Sequence, residues 1–306
     1  MRPVTQTFMQ TMLRCEEKAR LRYLELLASP KPDSPALSIG RAVHYGFETR
    51  SAVAAVDSLY EGRGPTWLEH EEEQLRLDSI KVRAMVEGGL ARWDLWPSVT
   101  EKQFSVPFRN PETGRASTKH TLEGVFDGVF LPGGWDTEPE WPGSDRPVLL
   151  EIKTTSRLDS AYLERLDLDW QVSAYLAVAQ VVYNAPVNEM VYRVVRKPSI
   201  RQRKDETVDG FAERLYEDYR SRPEFYFEEV VITRTDRQIE RWLYEAWEVH
   251  ERILRVERGG MTVRNPAHCL DFGRCVYFDL CRGVVGPSAF RVLKDAHPEL
   301  AKENTK

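Results

Sequence analysis

The run Val148-Leu149-Leu150-Glu151-Ile152-Lys153 constrains this chain more than any other segment. Its aliphatic and β-branched residues read as a strand, and side chains along a strand alternate between two faces. Val148, Leu150 and Ile152 therefore share one apolar face, and Glu151 and Lys153 share the other. A carboxylate and an ammonium side by side serve packing poorly. They serve well to hold a divalent cation and a nucleophilic water beside a phosphodiester. The expectation is a half-buried strand with Ile152 on the core side and with Glu151 and Lys153 facing solvent.

A second carboxylate lies upstream. Residues 121–130 also read as a strand, followed by the turn signal Pro132-Gly133-Gly134. The two strands are expected to form an antiparallel hairpin with an enlarged tip at residues 135–147, which brings Asp127 opposite Glu151. Carboxylate oxygens are the hard ligands that suit Mg²⁺ and Mn²⁺. Downstream, Gln171 and Tyr175 stand four residues apart on a helical pattern and share one helix face. Upstream, Gly40 and His44 share a face of an earlier helix in the same way.

The order Asp127, Glu151-x-Lys153, Gln171-x-x-x-Tyr175 resembles the PD-(D/E)XK nuclease superfamily in its RecB-like exonuclease branch, similar to CRISPR-associated and AddB-type nucleases or a phage relative. Gly40-Arg41-Ala42-Val43-His44 resembles the branch's Gly-x-x-x-His motif. Glu101 resembles the glutamate that opens the strand before the hairpin. One early cysteine, Cys15, and three late ones, Cys269, Cys275 and Cys281, match its cysteine distribution. The resemblance implies an α/β nuclease core, a mixed central sheet flanked by helices, with helical additions and a Cys-rich C-terminal tail. It implies a single nuclease domain over residues 1–306: a helical part at 1–95, a catalytic core at 96–200 and a helical part at 201–306. It also implies a metal held by His44, Asp127, Glu151 and the Ile152 carbonyl, with Lys153, Gln171 and Tyr175 completing the catalytic set.

Thiolates suit a [4Fe–4S] cluster or zinc, and four unligated cysteines are the third reading. The resemblance favours the cluster, tying the N-terminal helix to the tail. The branch has a two-residue gap between its first two C-terminal cysteines, whereas both gaps here are five residues. A cluster would require Cys15 to approach the 269–281 loop.

Bulk properties bound the function. The formal charge is −5, so no global basic field advertises nucleic acid. A local basic segment, Arg193, Arg196, Lys197, Arg201, Arg203 and Lys204, is a candidate phosphate-binding surface or a solvated loop. Trp242, Tyr244 and Trp247 are candidate base-stacking groups, or core residues at helical spacing. No apolar run is long enough to span a bilayer, and no apolar signal segment opens the chain; a cytoplasmic protein is expected. Four cysteines then suit metal better than disulfides.

Helical periodicity is expected over residues 6–28, 39–60, 71–93, 162–183 and 235–258, with Gly259-Gly260 ending the last. Strands are expected at 99–108 and 188–195. Two function classes stand: a metal-dependent DNA exonuclease acting on single strands or ends, and a non-catalytic iron–sulfur DNA-binding subunit of a recombination, repair or CRISPR-adaptation complex. No Gly-x-x-x-x-Gly-Lys-Ser/Thr motif is present, so any helicase or recombination protein would be a separate partner.

Overall fold

Among the described residues, the alternating segments of the sequence come together as one six-stranded mixed sheet, with a separate two-stranded antiparallel sheet that pairs residues 27–28 with residues 291–292. The computed structural model describes residues 1–30, 34–61, 69–97, 99–133, 141–271, 273–298 and 300. The expected hairpin tip falls partly outside the described residues, at 134–140. In chain order the elements are β1 (Arg2–Thr5), α1 (Gln6–Arg14), α2 (Glu16–Ala19), a π-helical turn (Arg20–Leu24), β2 (Leu27–Ala28), α3 (Pro35–Glu48), α4 (Ala52–Tyr60), α5 (Glu69–Arg92), β3 (Val99–Arg109), β4 (Ala116–Phe130) and β5 (Val148–Thr155). There follow α6 (Ser160–Glu164), a 3-10 turn (Arg165–Leu168), α7 (Trp170–Tyr183), β6 (Glu189–Arg196), α8 (Val208–Ser221), α9 (Pro223–Tyr226), β7 (Phe227–Thr233), α10 (Asp236–Glu257), α11 (Phe278–Cys281) and β8 (Arg291–Val292).

β4 is the hub of the sheet. It pairs antiparallel with β3 along one edge. Along the other edge it takes β1 in parallel, with Arg2 opposite His120, and then β5 antiparallel, with Gly128 opposite Leu150. β5 runs parallel to β6, with Glu151 opposite Tyr192, and β7 closes the sheet antiparallel to β6. The parallel β5–β6 pair requires a crossover, and α7 supplies it.

Both faces of the sheet are covered. On one side Phe8, Phe104, Phe126, Leu149, Leu176 and Trp242 form a core beneath α1, α7 and α10. On the other, Val43, Phe47, Met85, Leu150, Ile152 and Leu215 pack beneath α3, α5 and α8. This corrects the expectation for β5. Val148, Leu150 and Ile152 do share a face, but the opposite face is covered too, and Glu151 is only 1% exposed. A near-continuous apolar run with parallel pairing is the signature of a strand buried on both sides.

Three expected helices are broken. The first stops at Cys15, whose backbone is extended (φ −164°, ψ 110°). The second breaks at Arg50, in the left-handed region at φ 52°, and restarts at Ser51, whose Oγ accepts the Ala54 N–H. The third breaks after the 3-10 turn, and Asp169 caps α7 by accepting from the N–H groups of Gln171 and Val172. α10 forms as expected, with a Thr235/Gln238 capping box and Gly259 at φ 86° beyond its end. Strand β7 arises in a stretch expected to be helical, because an edge strand with alternating exposed polar residues lacks a strong apolar signal.

Arg193 overturns its assignment to a nucleic-acid surface. It is 1% exposed on β6. Its Nε donates to Glu229 at 2.6 Å, its Nη2 donates to the Leu95 carbonyl at 2.8 Å, and its guanidinium lies 5.0 and 4.7 Å from the rings of Trp93 and Trp96. It is a core cation that joins β7 to the end of α5. Arg193→Ala should lower stability by about 3 kcal/mol, measured by urea unfolding, because it opens a cavity beside Trp93 and Trp96 and leaves the Leu95 carbonyl unpaired.

Candidate active site

Neighbouring strands β3 and β4 change face together at one point. On β4, Leu122 and Phe126 pack beneath α7, and so does Val129, an odd number of residues further on. Between them Gly128 faces the opposite core: a Cβ there would come within 2.6 Å of Pro97 and 3.3 Å of Leu150. On β3, Phe104 and Val106 face α7, and Val99 packs on that side as well. The pairing register is the same before and after the change, with Thr100 opposite Gly128 and Lys102 opposite Phe126. Residues 101 and 127 therefore sit opposite each other where both strands turn over. Glu101 takes the left-handed conformation, φ 46°. For a residue with a Cβ this costs about 1–2 kcal/mol, the kind of strain that concentrates at functional sites.

This local twist presents Glu101 and Asp127 to α3. Gly40 lies against β5, where an added Cβ would meet Thr154 Oγ1 at 3.4 Å. That close approach brings His44, one turn later, to the same place. His44 Nδ1 lies 3.6 Å from Asp127 Oδ2. His44, Glu101 and Asp127 each offer a ligand atom within 4.8 Å of the other two, the one such set of three or more metal-binding side chains among the described residues.

The β4–β5 ladder ends at Gly128 and Leu150. One step further the strands part, and Asp127 Oδ2 accepts the Ile152 N–H at 2.8 Å. Glu151 lies on the α7 side of this opening. Its Oε1 accepts from Gln171 Nε2 at 2.8 Å and is paired with Lys153. Its Oε2 is buried and has no hydrogen-bond partner among the described residues. Burial first, and then the Asp127 charge, push the Glu151 carboxyl above the ordinary range, against the pull of Lys153 and His44. Burial alone would lower Lys153, but the carboxylates of Glu151 and Asp127 outweigh it and hold the ammonium well above its usual value. Tyr175 meets Phe104 and Phe126 edge-on. Burial, and then the Glu151 charge, raise its phenol, which stays protonated.

The structure thus gathers His44, Asp127, Glu151, Ile152, Lys153, Gln171 and Tyr175. For Ile152 the contact it provides is the N–H to Asp127. Glu101 joins the three-residue set, although its sequence reading marked only a strand opening. The signal was the parity of the apolar residues: Val99 does not share a face with Phe104 under strict alternation.

Other candidates stand apart. Arg196 donates to the Leu158 carbonyl and lies over Phe225, and Lys197 Nζ donates to the Ala36 carbonyl at 2.9 Å. Arg203 and Lys204 are exposed. Trp242 is 2% exposed and Trp247 packs against the same core, so two of the three stacking candidates are core residues. The four cysteines are free thiols and do not form a set with all sulfurs within 4.8 Å, so no tetrahedron as tight as zinc demands is present among the described residues. Cys281 nonetheless feels its neighbours. Burial raises its thiol pKa first, and Glu17, Cys275 and Cys15 add to the rise. The Cys275 N–H donates to the Cys269 carbonyl at 2.8 Å.

Glycine at position 101 relieves the left-handed strain and removes the carboxylate. Glu101→Gly should keep or slightly raise the melting temperature, while Mn²⁺ affinity falls by roughly 10- to 100-fold in an isothermal titration.

No curated protein matches the sequence. Among solved structures, similarity extends to a protein of Eubacterium rectale provisionally described as an exonuclease, at 15% identity over 95% of this chain and 89% of that one, TM-score 0.47. A phage-related exonuclease from Haemophilus somnus 129PT is similar at 9% identity over 77% of this chain and 94% of that one, TM-score 0.30. No helix among the described residues is long and apolar enough to cross a membrane. The sequence profile of the PD-(D/E)XK nuclease superfamily matches residues 3–282. That span runs from β1 to the last cysteine and takes in every residue gathered around Asp127, and the chain belongs to the PD-(D/E)XK nuclease superfamily.

Proposed function

We propose that this chain hydrolyses DNA phosphodiester bonds with Mg²⁺ or Mn²⁺, as an exonuclease on single strands or free ends. The observation that carries the hydrolytic reading is the approach of His44, Glu101 and Asp127 to one point beside the buried Glu151 and its partner Lys153. End-directed action on single strands rests on the motif resemblance.

The donor set fits a hard divalent ion. Two carboxylates and an imidazole are suitable ligands. The orphaned Glu151 Oε2 adds a buried acceptor, whose lack of a partner costs about 1–3 kcal/mol until a cation or water satisfies it. His44, Glu101, Asp127 and Glu151 would hold the ion, with the Ile152 carbonyl as the backbone ligand. A bound ion supplies Lewis acidity and a more acidic water.

The protein's own groups do the rest. Gln171 donates to one oxygen of Glu151 and so fixes the carboxylate's orientation, leaving the other oxygen available to an ion. Lys153 keeps its proton and, about a third exposed, reaches the space in front of the site. It acts there as a fixed positive charge for phosphate oxygens as negative charge develops, not as a base. Tyr175 offers a protonated hydroxyl close to Glu151 and Lys153.

The cysteines support a second, separable proposal. Cys15 and Cys275 each lie within electrostatic range of Cys281, and Cys269 is joined to Cys275 through the backbone. A [4Fe–4S] cluster sets its ligand sulfurs further apart than a single zinc ion does and suits this looser group. Its role would be structural, tying Cys15 to the C-terminal loop. Protein purified without oxygen should absorb near the visible blue, and Cys281→Ser should remove the band. A colourless, iron-free protein of unchanged stability would dismiss the cluster and leave the nuclease proposal intact.

The nuclease test is cleavage of end-labelled linear and circular DNA, single- and double-stranded, with Mg²⁺ or Mn²⁺. Glu151→Ala and Lys153→Ala should each lower the rate by at least roughly 10²–10³. Glu151→Ala leaves Lys153 and the Gln171 amide without their partner, so Glu151→Gln is the shape-preserving control: it should lose as much activity while melting close to the wild type. Full activity in Lys153→Ala would dismiss the assignment. Binding without cleavage on every substrate would favour a non-catalytic DNA-binding subunit.

A further inference from the structure

We propose that Arg234 is a positioning residue for the metal site, acting through Gln171. This rests on the nuclease reading above, and the experiment is chosen to fail separately from it.

Arg234 directly follows β7 and is only 4% exposed. Its guanidinium joins three segments. Nη1 donates to the Thr233 carbonyl at 3.0 Å, Nε donates to Ser173 Oγ at 3.1 Å, and Nη2 donates to the Leu166 carbonyl at 2.5 Å. One contact is in the sheet, one is in the first turn of α7, and one is in the 3-10 turn before it. The backbone of Arg234 is fixed as well: its N–H donates to the Asn188 carbonyl and its carbonyl accepts from Asn188 Nδ2, both at 2.9 Å. A rigid point on the sheet therefore holds the start of α7 from below.

That helix start is where the site needs precision. Ser173 Oγ, which accepts from Arg234, also donates to the Asp169 carbonyl at 3.3 Å. The Asp169 side chain accepts the Gln171 N–H at 2.8 Å. Gln171 Nε2 then holds Glu151 at 2.8 Å. A planar five-donor guanidinium can satisfy three acceptors in fixed directions at once, whereas an ammonium cannot match that fork. Burying such a cation is costly: burial pulls its pKa down, and the charges of Asp169 and Asp167 offset this only in part. A hydrophobic residue would fill the space without that cost, so an arginine here serves geometry.

The test combines Arg234→Lys with Gln171→Ala in the full chain. Arg234→Lys should lower kcat on single-stranded DNA by roughly 10- to 100-fold and leave KM nearly unchanged, the loss typical of outer-shell changes at a metal site. It should weaken Mn²⁺ binding, followed by the loss of the free-ion EPR signal in the absence of DNA. In the Gln171→Ala background, Arg234→Lys should add less than about twofold to either loss, since groups acting through one contact are not additive. Arg234→Lys that matches the wild type, or that causes the same loss with Gln171 absent, overturns the proposal. If Arg234→Lys does not fold, Ser173→Ala removes one link of the chain and carries the same cycle, with a several-fold loss expected only when Gln171 is present. If the wild type cleaves no nucleic acid, the nuclease reading fails, and the Mn²⁺ titration still decides the role of Arg234.

Discussion

Asp127 and Glu151 stand opposite one another where β4 and β5 part, and two neighbouring carboxylates repel unless something answers their charge. The molecule answers each differently. Asp127 takes the Ile152 N–H and lies beside His44, and Glu151 takes Lys153 and the Gln171 amide. The partners come from three elements: α3 supplies the histidine, β5 the lysine and the Ile152 N–H, and α7 the glutamine. Helices from both faces of the sheet thus meet at one electrostatic problem. One oxygen of the pair, Glu151 Oε2, still lacks a hydrogen-bond partner among the described residues, so a buried acceptor stays open at this point.

Much of this arrangement was legible in the sequence because it depends on alternation and spacing. The pair Glu151 and Lys153 share a strand face, Gln171 and Tyr175 share a helix face, and Gly40 to His44 is one helical turn. These are local rules, and they hold. Glu151 was misjudged in one respect. Its polarity suggested solvent, while α7 covers it, because a functional carboxylate can be buried where its partners are prearranged. Arg193 was misjudged for the same reason: a basic residue in a basic stretch reads as surface, and only the tertiary fold shows Trp93 and Trp96 around it.

What was not legible was non-local. The breaks at Cys15, Arg50 and Asp169 interrupt patterns whose apolar spacing runs straight through them. Each break redirects a helix toward its packing partners, α4 against α3 and α5 for example, and no window of ten residues contains that information. The strain at Glu101 belongs here too. Its cost is local but its return lies in Asp127 and His44, which are far away in sequence. Sequence reasoning is weakest where a residue accepts an unfavourable conformation for a distant partner.

The pairing of β1 with β4 and of β2 with β8 has a consequence for how the molecule comes into being. Residue 2 lies opposite residue 120, and residue 27 opposite residue 292. Contacts of such long range form late, because the chain must close large loops before it gains their energy. On the ribosome, β1 and the helix that follows have no sheet to join until β4 has emerged. Gln171 reaches Glu151 only after α7 has followed β5 out of the exit tunnel. In a nascent chain Asp127 and Glu151 therefore wait for the Gln171 amide until the segment that carries it has emerged.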